Sequence, residues 1–144
     1  MDALNARLGV LLRHLRRYRV GAVYAPPDAR AHVVRAFRTA VPEGATIDLL
    51  DGLDSGSLDG LLARDVVDWT EARDCAMPAL VLHAEAVWSP LAPRKLGDAW
   101  RALVLSETPP APRVLLIHSP AFVDQLAAAF ASSPEPERLV HWNS

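Results

Sequence analysis

One cysteine, Cys75, stands among 144 residues, so no internal disulfide can form, and a reducing, cytoplasmic setting is expected. No activating neighbour stands beside Cys75, and it is not read as catalytic. No apolar run approaches the ~20 residues that a spanning helix needs, so no membrane partner is expected. Asp2 falls early and no small-residue cleavage site follows an apolar stretch, so no secretory leader is expected either. Lysine is nearly missing. Lys95 stands against fourteen arginines, a usage that fits a GC-rich, bacterial coding genome. The acids Asp48, Asp51, Asp54 and Asp59 lack the alternation and terminal glutamate of a calcium loop, and no histidine–cysteine spacing suits zinc. No metal and no cofactor are expected.

Most telling is what is missing after the first predicted strand. Val20-Gly21-Ala22-Val23-Tyr24-Ala25 reads as a buried strand, and Asp28 opens a helix reaching Ala40. A loop that cradles phosphate needs glycine N–H groups, a lysine and a serine or threonine. Here Pro26 and Pro27 remove two donors, and Asp28 puts negative charge where an anion would dock.

What is present suits one globular domain over 1–144. Hydrophobic residues make up 51% and charged ones 22%, and a chain of this length buries roughly 70% of its unfolded surface. Charge is segregated, however. Residues 1–38 carry eight arginines against Asp2 and Asp28, whereas residues 39–74 carry nine acids against Arg64 and Arg73. Such asymmetry points to an electrostatic partner surface, or to pairing between the two halves.

Leu4, Leu8, Leu11 and Leu15 recur at helical spacing, which predicts a basic amphipathic helix over about 3–18. A short strand is expected near 46–50, then an acidic loop, then a helix over 58–74 capped by Ser57. Residues 79–84 and 113–118 are near-continuous apolar runs, as central parallel strands are. Helices over 93–106 and 120–131 and a last strand over 138–142 complete the alternation. The fold class is therefore α/β: a three-layer α/β/α domain with a mostly parallel, five-stranded sheet.

Two groups of residues could carry function. His83 and His118 end the central strands, where open α/β sheets place their sites, with Glu85 and Ser119 close in sequence. An enzyme would use them as acid–base pair or as nucleophile and base; alternatively, the histidines only bond to neighbouring loops. Arg13, Arg16, Arg17 and Arg19 form the best candidate contact surface, for an acidic protein face or for nucleic acid, or they are solvated or paired internally. Tyr18 is the one aromatic beside them, few for a single-stranded target. Acids continue along the next helix at Asp65, Asp68, Glu71 and Asp74, a face suited to a basic partner or to the arginine helix of a second copy. Trp88, with Leu91, lies in a proline-bounded stretch and is either an exposed partner anchor or core; Trp69 and Trp100 read as core.

The order of elements resembles the P-loop NTPase core, in particular the small AAA+ type. Residues 80–85, Leu-Val-Leu-His-Ala-Glu, look like its Walker B strand, and 114–119, Val-Leu-Leu-Ile-His-Ser, like its sensor 1 strand. Pro26-Pro27-Asp28 stands in place of the Walker A residues, and His83 in place of the magnesium-holding aspartate. The resemblance implies a degenerate member that has lost hydrolysis. The expected role is that of a non-catalytic adaptor that docks on a larger protein, a DNA-transaction assembly or a second copy of itself. A small enzyme built on the strand-end residues, and a nucleic-acid-binding accessory using the arginine helix, are the alternatives.

Overall fold

Two sets of apolar side chains, one on each side of a single sheet, fix the architecture. Strand residues alternate between them: Leu80, Val114 and Leu116 face one way, and Val81, Leu115 and Ile117 the other. A computed structural model describes residues 3–50, 67, 70, 71, 75–88, 93–133 and 138–142. The elements are α1 (Ala3–His14), β1 (Val20–Tyr24), a 3-10 turn (Pro27–Ala29), α2 (Arg30–Ala40), β2 (Ala45–Asp48) and β3 (Ala79–Leu82). They continue with α3 (Ala84–Trp88), α4 (Pro93–Val104), β4 (Arg113–Ile117), α5 (Pro120–Ala131) and β5 (Leu139–His141).

The sheet runs β2-β3-β4-β1-β5, and every neighbouring pair is parallel. This is the α/β class that the sequence implies. The connection from β1 travels three strands across to β2, and the later connections step back the other way. Right-handed crossovers tie direction to face. Accordingly α1 and α2 pack on one side through Leu8, Leu11, Val33 and Phe37, while α3, α4 and α5 pack on the other through Trp88, Trp100, Leu126 and Phe130. The chain reverses direction between β1 and β4, and the crevice at their carboxyl ends is where such a sheet receives a ligand. Gly21 permits the close approach of α1, because a Cβ there would sit 3.1 Å from both Leu11 and the Arg138 carbonyl.

Several boundaries differ from the sequence reading, each for a local reason. The leading helix stops at His14 rather than continuing to 18. Leu15 and Tyr18 turn inward, and Arg19 joins the sheet, its N–H donating to Ser106 O and its carbonyl accepting from Arg113 N. Arg16 and Arg17 therefore lie on a bend, not on a helix, and Arg19 leads directly into β1. Helix α3 occupies part of the proline-bounded stretch for which the sequence predicts no helix; it starts one residue after β3, and His83 makes the link with a φ of 64°. That left-handed conformation is uncommon outside glycine, although histidine adopts it more readily than most residues. Helix α5 begins where Ser119 and Pro120 place it, with Ser119 as N-cap and Pro120 in the first turn. Of the helix expected over 58–74, Val67, Thr70 and Glu71 are described and helical. Ser57, Trp69, Leu91, the acids at 51, 54, 59, 65, 68 and 74, and most of that helix lie outside the described residues.

Candidate functional site

The crevice at the carboxyl ends of β1 and β4 is built from groups that satisfy one another. After β1, Pro26 and Pro27 have no N–H to offer. Two amides of the turn that follows point back along the chain: Ala29 N donates to Pro26 O, and Arg30 N to Pro27 O. After β4, the His118 ring reaches across, its Nδ1 donating to Ala25 O at 2.7 Å while its Nε2 accepts from Arg30 Nε at 3.5 Å. Both ring nitrogens are thus engaged, which fixes the Nδ1–H tautomer.

Glu85, in the first turn of α3, closes the same region. Its Oε1 accepts from the backbone N–H of His118 and from that of Ser119, the latter at 2.9 Å. Backbone amides at a strand end leading into a helix are the groups that would otherwise hold an anion. Here a carboxylate of the protein occupies them. Ser119 Oγ accepts from Phe122 N as the cap of α5, so it is a capping oxygen. The four residues named for an enzyme are therefore not gathered into one acid–base constellation. His118, Glu85 and Ser119 come together through backbone hydrogen bonds, and the His83 ring turns elsewhere.

His83 pairs with Asp48, the last residue of β2. Register explains the meeting: Asp48 ends β2 opposite Leu82, and His83 follows directly. His83 Nδ1 lies 2.7 Å from Asp48 Oδ1, which also accepts from Leu50 N at 2.9 Å. Burial works to raise the Asp48 pKa, but the hydrogen bonds from His83 and Leu50, with the charges of His83 and Arg30, outweigh it and hold the carboxyl below 3.8. A carboxyl depressed in the folded state contributes stability that is fully present above its unfolded pKa and is lost as pH falls through the folded value. The stability gap between the parent and Asp48→Asn is therefore expected at neutral pH and to vanish in acid below the usual carboxylate range. Thermal melts across that range check it; a gap that widens in acid would contradict the pairing. The orientation of His83 by Asp48 suits a general base, but no hydroxyl or thiol among the described residues hydrogen-bonds to it. No group of three potential metal ligands occurs among the described residues.

The arginine cluster sits at the opposite, amino-terminal edge of the sheet. Arg13, Arg16 and Arg17 are exposed and Arg19 is half-buried. Arg17 pairs with Glu107 at 2.9 Å and lies over the Tyr18 ring, so one member of the cluster is engaged internally. Trp88 is not an exposed anchor. It is fully buried on α3, stacks on Trp100 at 3.8 Å and donates from Nε1 to Thr70 Oγ1 at 2.9 Å. Glu71, assigned from sequence to an acidic face, is buried as well, accepting from the hydroxyls of Ser106 at 2.7 Å and Thr108 at 2.8 Å.

Sequence reasoning missed two buried arginines beneath this edge. Arg113, at the start of β4, donates to the carbonyls of Glu71, Met77, Pro112 and Cys75. Its pKa is pushed down by burial, against the opposing charge of Glu71. Arg138 donates to Val20 O and Ser133 Oγ and is sandwiched between the rings of Tyr18 and Phe130. Their positions directly before apolar strand runs were the available signal. No helix among the described residues is long and apolar enough to cross a membrane. No protein-family model matches the chain, and no curated protein matches its sequence.

Proposed function

We propose that this chain is a non-catalytic interaction module, a P-loop-like core without Walker A and Walker B residues that docks on a larger protein or a DNA-transaction assembly. One observation carries the reading: the crevice between β1 and β4 is filled by the chain's own Glu85 carboxylate, His118 ring and Arg30 guanidinium. Strand order supports the P-loop side of the resemblance. A flavodoxin-like sheet places β1 between β2 and β3. Here β1 lies between β4 and β5, with β4 inserted next to β3, as in an AAA+-type core. Exposed Arg13 and Arg16, at the far edge, supply cationic groups for docking.

The test is calorimetry with magnesium and ATP or GTP. No saturable heat and no phosphate release are expected. Affinity in the micromolar range accompanied by turnover would overturn the reading.

A further inference from the structure

Among the described residues β5 is an edge strand, paired with β1 alone. The Arg138 carbonyl and the Trp142 N–H point to β1, so by alternation the backbone groups of Leu139 and His141 point outward. Beside that edge, α1 and β5 enclose a groove of about 390 Å³ lined by Ala6, Arg7, Val10, Leu11, His14 and Val140. Val10 is 44% exposed, a valine left to water on an otherwise amphipathic helix. No acidic residue is among those that line the groove. Arg7 and His14 stand on either side of Val10, Arg13 is exposed one turn away, and neither α1 nor α2 contains an aspartate or glutamate.

We propose that this groove binds an extended acidic segment of another protein as a sixth strand, with an apolar side chain on Val10 and Val140 and a carboxylate on either side. The proposal deepens the interaction-module reading and rests on it. Spacing supports the match. Arg7 and His14 are seven residues apart, about 10.5 Å along the helix. Side chains at alternate positions of a strand share a face, and residues four apart span about 13 Å, within reach of an arginine side chain. A carboxylate–apolar–carboxylate pattern at every second residue therefore places each group against its complement. Arg7 supplies a guanidinium for one carboxylate, and the His14 ring an N–H for the other. A nucleic acid would meet the cations but has no apolar side chain for the groove and no peptide backbone for the outward groups of Leu139 and His141.

The test is fluorescence anisotropy of the full chain with a fluorescein-labelled peptide whose core reads glutamate–serine–leucine–serine–glutamate. Saturable binding is expected, with Val10→Glu and Arg7→Glu each weakening it about tenfold, the effect of losing one anchor. The same peptide with lysine for glutamate should not bind. Four outcomes overturn the proposal: no saturable binding of the acidic peptide, equal binding of the lysine peptide or of a single-stranded oligodeoxynucleotide, binding unmoved by either variant, or a self-associating protein that Val10→Glu makes monomeric. Both positions are on the outer flank of α1, and the pair of variants keeps the test informative if one fails to fold. Failure here leaves the interaction-module reading standing, since that reading falls only with nucleotide binding and turnover.

Discussion

Replacing Arg113 with methionine is expected to destabilise the protein by about 3–5 kcal/mol, the cost of removing a buried charge from its partners. The reasoning is geometric. One planar guanidinium satisfies the carbonyls of Glu71, Met77, Pro112 and Cys75 in the interior, and methionine offers none of those donors. The Glu71 carboxylate would also lose the nearby positive charge while remaining buried with Ser106 and Thr108. Arg113→Lys keeps the charge but replaces a rigid fork by a single ammonium, so it should recover part of the stability and not all of it. Urea unfolding of the three proteins measures this. A loss below about 1 kcal/mol for the methionine variant, the range of exposed ion pairs, would show that the network is not buried.

Trp88→Ala should cost a similar amount, about 3–5 kcal/mol, as large-to-small changes at fully packed aromatic positions do. Trp88 fills the layer between α3, α4 and the sheet, and its removal takes away the ring stacked on Trp100 and the Nε1 donor to Thr70 Oγ1. Trp88→Phe retains the ring contact and loses the Nε1 hydrogen bond, so a smaller loss is expected. Had Trp88 been an exposed anchor, its truncation would lie within about 0.5 kcal/mol of the parent, as surface changes do. Equilibrium unfolding separates the two cases directly.

The sheet was legible because β1, β3 and β4 are covered on both faces, and continuous apolar runs leave few other conformations. Helix α5 was legible to its first residue because Ser119-Pro120 states its own start. The end of α1 was not. Leu15 keeps the helical spacing, and the chain turns there only because Arg19 finds Ser106 and Arg113, both distant in sequence. Helix α3 was missed because five residues carry too little periodicity, and its stability comes from tertiary packing of Trp88 on Trp100. Charged residues are read as surface by default, which misplaced Glu71 and hid Arg113 and Arg138. The Asp48–His83 pair depends on the β2–β3 register, so neither residue alone announces it. The strand-end histidines were found from sequence, but their partners were not: a parallel sheet brings its strand ends together in an order that sequence adjacency does not give.

The two edges of the sheet thus differ in kind. At the carboxyl edge, hydrogen-bonding groups that could greet an anion are turned on one another through Glu85, His118 and Arg30. At the amino edge, and along α1, cationic groups remain exposed. The proposed partner of acidic character rests on this distribution.

Amide NMR of the intact chain, titrated with an excess of magnesium and ATP, addresses the carboxyl edge residue by residue. The backbone signals of Asp28, His118 and Ser119 should stay where they are in the nucleotide-free protein, because the Glu85 carboxylate already holds the last two. Saturable displacement of those three signals would mean that the crevice opens to a phosphate, and the account given for it would be wrong.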